Sequence, residues 1–401
     1  MTTAKIKVLH IISDLEIGGA QEVVRTLVKH LASDDCLPMV CAFKDGPLRQ
    51  EIERLGFRVE ILTPPRHSFI FFPGFIADMI RIWRSLTALV TKHNINIIQT
   101  HLLRTLDFLV LLLKYTTPVR AVLWTFHSTD FELTKNQLSQ HKWLLKPKKF
   151  IHRHLYRMTS DSVNGFIAVS EEVKTAMLHI IGPIQDNITV INNGVDIQRY
   201  GISVDKVQVR HHLGLEAHAC LIAVPAILKV EKGHRFLIEA MRSVTSRYEN
   251  VHALLIGDGP LRYELQEYVK QLNLEGCVNF LGNRHDVPEL LAACDLFVLP
   301  SLCEGFSMAL LEAMASGKPI VATAVSGTIQ VMIPNKTGLI VPPYSSQELS
   351  KAIIQLLSNP EQAHAMGQTA KRRVEENYGA QKQAEKHLAL YNSIVAQQRE
   401  V

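Results

Sequence analysis

The sequence predicts an α/β protein made of two doubly wound domains whose parallel sheets face a shared cleft. Its length of 401 residues suits two domains, at a usual size of about 100–200 residues each. Short β-branched runs alternate with helical stretches, and this alternation pauses once, near residue 200. Short apolar runs between helices are typical of parallel strands that are covered on both faces.

The apolar runs give the predicted elements in chain order. Before the pause, strands are predicted at 7–12, 39–43, 58–61, 97–100, 121–126, 165–169 and 188–191. After it, strands are predicted at 221–225, 251–256, 278–281, 296–299, 319–322 and 338–341. The stretch 195–205 is the predicted hinge. We therefore expect an N-terminal domain at 1–197, a C-terminal domain at 198–379, and a helix within 380–401 that packs back towards the N-terminal domain.

Composition narrows the class of protein. Apolar residues make up 47% of the chain and charged residues 20%, which excludes disordered and collagen-like proteins. The cysteines form no CxxC pair, and several lie in apolar runs, so we interpret them as buried thiols in a reducing compartment and not as disulfides or zinc ligands. They are Cys36, Cys41, Cys220, Cys277, Cys294 and Cys303.

No segment is predicted to cross a membrane. The most apolar stretch, 102–113, is interrupted by Arg104 and Asp107, and a spanning helix needs about 20 apolar residues. The apolar run after Lys5 and Lys7 is too short for a signal sequence. We therefore expect a cytoplasmic protein.

The net positive charge of the protein comes from its N-terminal half. The first 200 residues carry 24 Lys and Arg against 18 Asp and Glu, and the remainder carries 19 against 20. Six of the cations lie in 141–157 (HKWLLKPKKFIHRHLYR), which has no acidic residue and has aromatic residues between the cations. Three interpretations of this segment remain. It is a solvated helix with an apolar side in the core, it binds an anionic membrane surface, or it binds another polyanion. Nucleic acid is disfavoured, because no nucleic-acid-binding signature accompanies the segment.

Two loops that follow predicted strands carry candidate phosphate-binding residues, since ligands bind outside the carboxyl ends of strands in such sheets. Gly18 and Gly19 follow the first strand and open a helix, where bare amides favour an anion. Lys229 and Lys232 precede Gly233 after the strand ending near residue 225, and two cations there suit a diphosphate. The alternative for the glycine pair is a tight turn that binds no ligand. The alternative for the two lysines is that they are solvated surface residues.

The segment 300–319 (PSLCEGFSMALLEAMASGKP) carries the strongest pattern, which is a strand end, an acidic turn and a helix. If the helix begins near Phe306, its first amides are free donors suited to a diphosphate. These are the amides of Phe306, Ser307 and Met308. Glu304 then stands beside the phosphates, with Glu312 about two turns along the helix. We interpret both carboxylates as acceptors for sugar hydroxyls, because acids beside phosphate are otherwise repelled.

Histidines follow two further strands. His127 comes directly after 121–126, and this position is predicted to put its ring in the cleft. His101 after 97–100 is a similar candidate. His10 lies inside a strand and is interpreted as a hydrogen-bonded core histidine.

These motifs together resemble the retaining glycosyltransferases of family 4, which have the GT-B fold of two Rossmann-like domains. The resemblance covers nearly the whole chain. Its markers are Gly18-Gly19, His127, Val169-Ser170-Glu171, Asn193-Gly194-Val195-Asp196, Lys232-Gly233, Ile256-Gly257-Asp258-Gly259-Pro260, Phe280-Leu281-Gly282, and Glu304 with Glu312 as the family's E-x7-E.

The resemblance implies how a nucleotide-sugar donor is held. Glu304 contacts the donor sugar, Glu312 holds the ribose hydroxyls, and the amides of 306–308 bind the diphosphate. Arg284 offers its backbone to the base. Gly19 approaches the phosphates.

The resemblance also implies the catalytic set, which is His127, Glu304 and Lys232. His127 approaches the transferred sugar near its 6-position. Family members need no metal or cofactor, so Lys232 and helix dipoles neutralise the leaving diphosphate. Ile227 departs from the family, which usually has an arginine there, and Lys229 is the nearby cation that could replace it.

We therefore expect an enzyme that moves a hexose from a nucleotide diphosphate sugar to an acceptor hydroxyl with retention of configuration. Its acceptor is expected to be a glycan or a lipid-linked molecule of cell-envelope, glycolipid or polysaccharide synthesis. A nucleotide-sugar epimerase and an inactive nucleotide- or lipid-binding scaffold are the alternatives. If 141–157 binds lipid, the enzyme is peripheral on the inner face of the membrane.

Overall fold

The computed structural model describes residues 5–67, 72–101, 103–129, 145–182 and 187–397. The chain divides into two compact units, one formed by Met1–Asn193 with Gln381–Val401 and the other by Gly194–Ala380. Each unit is built on one parallel sheet, so the predicted class, a two-sheet α/β protein, is confirmed.

The first unit has a seven-stranded sheet in the order β3-β2-β1-β4-β5-β6-β7. Its strands are β1 (Ile6–Ile12), β2 (Cys36–Ala42), β3 (Val59–Ile61), β4 (Ile97–His101), β5 (Ala121–Phe126), β6 (Gly165–Ala168) and β7 (Ile188–Val190). The chain proceeds in one direction from β1 to β3 and in the other from β4 to β7, so the order reverses between β1 and β4.

Helices cover the strands of this sheet. They are α1 (Gly19–Leu31), α2 (Pro47–Arg54), α3 (Phe72–His93), α4 (Thr105–Thr116), α5 (Leu145–Thr159) and α6 (Glu171–Ile181). In α1 the buried residues Val24, Leu27, Val28 and Leu31 recur at helical spacing, which gives the helix one apolar face. That face packs on the apolar side chains of β1 and β2, which form the core of the unit.

The second unit has a six-stranded sheet in the order β10-β9-β8-β11-β12-β13. Its strands are β8 (Cys220–Pro225), β9 (Val251–Ile256), β10 (Val278–Gly282), β11 (Leu296–Leu299), β12 (Ile320–Thr323) and β13 (Leu339–Val341). The strand order reverses between β8 and β11, where the two strands pair in parallel.

Nine helices of the described chain belong to this unit, and a tenth follows it. They are α7 (Ile197–Tyr200), α8 (Lys206–His212), α9 (His234–Thr245), α10 (Arg262–Gln271), α11 (Val287–Ala293), α12 (Met308–Ala315), α13 (Ser326–Val331), α14 (Ser346–Ser358), α15 (Pro360–Asn377) and α16 (Ala380–Gln397). The last helix packs on the first sheet, where the buried Tyr391 and Ile394 join the core.

The predicted hinge, 195–205, contains α7 and leads into α8, because the carboxylates of Asp196 and Asp205 cap these helices; its role as a hinge stays a prediction. Two expectations about local structure are wrong. Helix α12 begins at Met308 and not near Phe306, because the Ser307 hydroxyl caps it. All cysteines are free, but Cys303 is exposed and two others are only partly buried.

Among the described residues, the structure contains no helix with the length and apolar character needed to cross a membrane.

Candidate functional site

Each sheet has one point where its strand order reverses, and the candidate residues follow the strands at that point. In open α/β sheets ligands bind outside the carboxyl ends of the strands at such a reversal. In the first sheet Gly18 and Gly19 follow β1, and His101 ends β4. In the second sheet Lys232 follows β8 and Glu304 follows β11.

The structure brings Lys232 and Glu304 together. The Nζ atom of Lys232 lies 2.6 Å from Oε1 of Glu304, and the Ser301 hydroxyl donates to the same oxygen at 2.7 Å. Glu304 is 8% exposed, and burying a carboxylate is costly unless it has such partners. The site therefore holds a carboxylate and an ammonium group in fixed positions, with one face of the lysine open to solvent.

A glycine allows the two loops to approach. Gly233 has a φ of +64°, and a Cβ atom there would lie 2.0 Å from the carbonyl oxygen of Pro300. The amide of Leu302 also donates to the carbonyl of Glu231 at 2.8 Å. A residue with a side chain at 233 would therefore push the Lys232 loop away from the Glu304 loop.

The start of α12 lies in the same loop. Ser307 Oγ accepts from the amide of Leu310 at 3.4 Å, and helix geometry leaves the amides of Met308 and Ala309 without intrahelical partners. These amides and the positive end of the helix suit an anion. Phe306 is buried in the preceding turn, with its ring against Tyr378.

Glu312 lies one turn into α12 and is 7% exposed. The helix sequence, MALLEAMA, contains no other charged residue and is buried at seven of its eight positions. Acidic side chains are rarely buried in such surroundings unless they have a partner or a function.

The other predicted donor-side residues lie further out. Lys229 is exposed at the start of a short turn after β8, and Ile227 is partly buried two residues before it. Arg284 follows β10, two strands away from β8, and its guanidinium donates to both carboxylate oxygens of Asp286 at 2.7 and 2.6 Å. This ion pair leaves the backbone of Arg284 as the part with a predicted ligand role.

His234 is a candidate that sequence reasoning missed. It is the first residue of α9, next to Lys232 and Gly233, and it is buried. Neither ring nitrogen has a hydrogen-bond partner among the residues that the structure describes. Burial, followed by the charge of Lys232, lowers the pKa of His234 to about 4. Its position directly after Lys232-Gly233, at the positive end of a helix, could have indicated it from the sequence.

In the first unit, the glycine loop is organised by Asp14, which sequence reasoning also missed. Its Oδ1 accepts from the amide of Glu16 at 3.2 Å and from Nε2 of Gln21 at 2.8 Å. Gly18 is the N-cap of α1, and within the described ranges no atom beyond the neighbouring backbone lies within 4 Å of a Cβ position built on Gly19. The loop therefore leaves open space beside the Cα atom of Gly19.

His127 lies directly after β5 and is hydrogen-bonded to His101, with 2.9 Å between Nε2 of His127 and Nδ1 of His101. Burial lowers the pKa of His127 to about 4, with a smaller effect from His387. His10 is buried as expected, and its Nδ1 lies 3.1 Å from Nε2 of His101. Its other ring nitrogen has no partner in the described chain, so the expectation of a fully hydrogen-bonded core histidine is only half correct.

The basic segment 141–157 is described from residue 145 onwards, as α5, and its first four residues lie outside the described chain. Tyr156 is buried against the sheet, whereas Phe150 is 73% and Met158 67% exposed. Helix α5 therefore has an anchored side and an exposed apolar side. Within the ranges described, no group of three His, Cys, Asp or Glu side chains is arranged to hold a metal ion.

Two family models match the chain. Residues 17–199 match Glycosyltransferase Family 4, and residues 212–373 match Glycosyl transferases group 1. An uncharacterized glycosyltransferase of Methanocaldococcus jannaschii is 29% identical over 57% of this chain and 60% of its own length.

Two further proteins cover more of the chain. The UDP-Gal:alpha-D-GlcNAc-diphosphoundecaprenol alpha-1,3-galactosyltransferase of Escherichia coli is 26% identical over 81% of each chain. The crystal structure of Anabaena HepE with UDP and glucose superposes with a TM-score of 0.80 at 23% identity, over 97% of this chain and 100% of that one. This structural likeness is to a GT-B fold. Because the two family models together match most of the chain, the chain belongs to the glycosyltransferases of family 4 and group 1.

Proposed function

We propose that this glycosyltransferase moves a hexose from a nucleotide diphosphate sugar to an acceptor hydroxyl with retention of configuration and without a metal. The observation that carries the proposal is the Lys232–Glu304 pair at the reversal point of the second sheet. A fixed carboxylate suits the hydroxyls of a donor sugar, and an ammonium group beside it suits the phosphates.

The leaving diphosphate explains why no metal is needed in this proposal. As the sugar–phosphate bond breaks, negative charge grows on the diphosphate, and preorganised positive groups stabilise that charge. Lys232, the first amides of α12 and the exposed Lys229 are the groups that the second unit supplies. Glu312 then binds the ribose hydroxyls, and the backbone of Arg284 contacts the base of the nucleotide.

The first unit is proposed to bind the acceptor. Its glycine loop, with open space over Gly19, approaches the phosphates, and His127 contacts the transferred sugar. The name of the Escherichia coli relative gives its acceptor as a sugar-diphosphoundecaprenol, which supports a lipid-linked acceptor here. We place the reaction in cell-envelope glycan or polysaccharide synthesis.

The exposed side of α5 supports attachment to an anionic membrane surface on the cytoplasmic side. Phe150, Ile151, Leu155 and Met158 are exposed apolar side chains on this helix. Arg153 and Arg157 are exposed beside them, and 141–157 has no acidic residue. Exposed apolar groups flanked by cations are typical of helices that lie in a bilayer interface.

One assay tests the proposal against its two alternatives. The protein is incubated with UDP-, GDP- and ADP-sugars, with and without membrane lipid extract, and free nucleoside diphosphate and sugar products are followed. Transfer predicts diphosphate release that depends on lipid extract and a product with the donor's anomeric configuration by NMR. Release that is abolished by EDTA would contradict the metal-free mechanism. An epimerase would convert the sugar without acceptor, and a scaffold would bind donor without releasing diphosphate.

A further inference from the structure

Three histidines lie in a row on one face of the first sheet. His10 of β1 pairs in register with Gln99 of β4, and His101 of β4 pairs with Thr125 of β5. Alternate residues of a strand share a face, so His101 lies on the face of Gln99. His127 follows Thr125 by two positions and continues the row beyond the end of β5.

The imidazoles form a continuous hydrogen-bonded chain. Nδ1 of His10 lies 3.1 Å from Nε2 of His101, and Nδ1 of His101 lies 2.9 Å from Nε2 of His127. In the described part of the protein the two ends of the chain, Nε2 of His10 and Nδ1 of His127, are buried and have no hydrogen-bond partner.

All three rings are neutral at physiological pH. Burial lowers the pKa of His10 to about 3 and that of His127 to about 4, and it holds the pKa of His101 well below its usual value. A neutral imidazole has one N–H donor and one acceptor nitrogen. Two hydrogen bonds among three such rings therefore require every ring to donate in the same direction along the chain.

Neighbouring polar groups on this face bond elsewhere. The amide of Gln99 donates to Thr125 at 2.8 Å, and its oxygen accepts from the hydroxyl of Tyr391. Nδ1 of His387 donates to the carbonyl of Gln383 at 2.9 Å. The direction of the histidine chain is therefore decided at its two ends.

The two end atoms, Nε2 of His10 and Nδ1 of His127, differ in which hydrogen-bond partners can reach them. If the chain runs from His127 towards His10, the proton on Nε2 of His10 is a buried donor without a partner whether or not a ligand is bound. If it runs from His10 towards His127, His10 keeps only an unpaired acceptor, and the free donor is Nδ1–H of His127, which a ligand oxygen can accept. Either direction leaves one donor and one acceptor without a partner among the described residues. His10 is 0% exposed inside β1, whereas His127 is only partly buried at the carboxyl end of β5, where ligands bind. A ligand can therefore satisfy the unpaired donor of the second direction only, which favours that direction.

We infer that His10 and His101 are positioning residues that hold His127 in the tautomer with its proton on Nδ1, so that His127 donates a hydrogen bond to an oxygen of the bound sugar. The identity of the sugar and the choice of tautomer both rest on the proposed function, because only a ligand at His127 distinguishes the two directions, but the tautomer can be measured without any substrate. The bond to His101 also fixes the plane of the His127 ring, so the donor is aimed before the ligand arrives.

NMR of protein labelled with ¹⁵N-histidine tests the tautomer without any substrate. The signals of His127 are assigned by their loss in His127→Gln. We expect Nδ1 of His127 to have the chemical shift of a protonated ring nitrogen and Nε2 that of an unprotonated one. The reverse assignment would overturn the inference, whatever the enzyme transfers.

Variants of His10 test the positioning. In His10→Leu the first donor is lost, so His127 should become a mixture of tautomers; His10→Asn keeps a donor near the Nδ1 position and should restore the wild-type signal. His387→Leu removes a buried histidine of α16 that does not belong to the hydrogen-bonded row, and it should leave the tautomer of His127 unchanged. An unchanged His127 signal in His10→Leu would remove His10 from the proposed role.

Kinetics test the link to the sugar. Loss of one neutral hydrogen bond corresponds to about a 3–10-fold fall in kcat/KM, and we expect His10→Leu to show such a fall. In a His127→Ala background the same change should have no further effect, because the donor that it positions is gone. An equal fall in both backgrounds would show a general structural effect. If no donor sugar is turned over at all, the proposed function fails and the NMR result still decides the tautomer.

Discussion

The Nζ atom of Lys232 lies 2.6 Å from Oε1 of Glu304, although the two residues are 72 positions apart. Each follows one of the two strands between which the order of the second sheet reverses. Because Glu304 is almost fully buried, the contacts of its carboxylate with Lys232 and with the hydroxyl of Ser301 replace contacts with water. Changes at the two residues should therefore have different effects on stability and similar effects on catalysis.

Glu304→Gln should reduce turnover by about 10²–10³-fold, the usual loss when one preorganised charge is removed from a transition state. Its stability should change little, since the amide can still accept from Lys232 and Ser301. Lys232→Ala should reduce turnover similarly and also lower the free energy of unfolding, because it leaves a buried carboxylate without its cation. Turnover rates and denaturant unfolding measure both effects.

Lys270→Ala is the matched control for Lys232→Ala. Lys270 forms an exposed pair with Glu267, and exposed pairs contribute about 0–1 kcal/mol. Near-wild-type turnover in Glu304→Gln or Lys232→Ala would remove that residue from the catalytic set.

Glu312→Ala should raise the KM for the donor more than it lowers kcat. A contact to the ribose is made equally in the ground state and in the transition state, so its loss weakens binding without slowing the chemical step. Initial rates over a range of donor concentrations give both constants. Glu312→Gln, which keeps the shape of the side chain, separates loss of charge from a cavity in α12. A collapsed kcat with an unchanged KM would indicate a chemical role.

Lys229→Ala should weaken binding of the nucleoside diphosphate much more than binding of the nucleoside. Lys229 is exposed after β8, and it is proposed to replace the arginine that the family resemblance implies at the position of Ile227. The preferred base is identified first by thermal shift with UDP, GDP and ADP, since a ligand at 100 times its Kd adds ~2.7 kcal/mol of stability. Calorimetry then compares the two ligands, with the exposed Lys336→Ala as control. Equal losses for both ligands would show that Lys229 is only solvated.

The positions of the strands could be predicted from the sequence, but the contacts between distant residues could not. Buried parallel strands are apolar on both faces, so every predicted strand is present, and the largest error is at β2, which begins at Cys36 and not at Met39. The predicted start of α12 is two residues too early because Ser307 is the N-cap of the helix. Serine before an apolar run is a usual N-cap and could have indicated it.

The long-range relationships required the structure. The approach of Lys232 to Glu304 depends on the close packing of Gly233 against Pro300, which no local pattern encodes. The row of His10, His101 and His127 depends on the register of three strands. Sequence reasoning found each of these histidines separately but could not show that they bond to one another.

Asp107 predicts a pH dependence of stability. It is buried in α4, where Oδ1 accepts from the hydroxyl of Thr100, and burial raises its pKa from 3.8 to about 7. Between these two values the folded state binds a proton that the unfolded state has lost, so this residue's contribution to stability is lost as the pH rises through about 4 to 7.

Asp107→Asn has no titrating group at this position, so it removes the fall in the free energy of unfolding that Asp107 causes as the pH rises. The free energy of unfolding of the variant, relative to wild type, should therefore rise by on the order of 2 kcal/mol from pH 5 to pH 8, since one unit of pKa corresponds to about 1.4 kcal/mol. Denaturant unfolding at several pH values measures the difference. Asp34→Asn, at an exposed position, should show no such trend. A constant difference between Asp107→Asn and wild type would mean that Asp107 is ionised throughout this range.

Liposome sedimentation tests whether α5 binds a membrane. Each Lys or Arg near an anionic surface contributes about 1 kcal/mol to binding, and the exposed apolar side chains of α5 add to this when they enter the interface. We expect wild-type protein to sediment with anionic vesicles at low salt, less at high salt, and little with zwitterionic vesicles. Changing Lys142, Lys146, Lys148 and Lys149 to Ser should reduce binding at least tenfold.

The apolar contribution needs its own variant, because cations alone would bind any polyanion. Phe150→Ser with Met158→Ser should weaken sedimentation with anionic vesicles while leaving retention on heparin unchanged. Tyr263→Ser with Ile329→Ser removes two exposed apolar side chains from the second unit and should have no effect on either measurement. If the α5 variant sediments like wild type, the exposed apolar side of α5 does not enter a bilayer. If the α5 variant loses vesicle binding but keeps its retention on heparin, these side chains insert into the bilayer. Their insertion then places the first unit, and the acceptor site proposed for it, at the lipid surface.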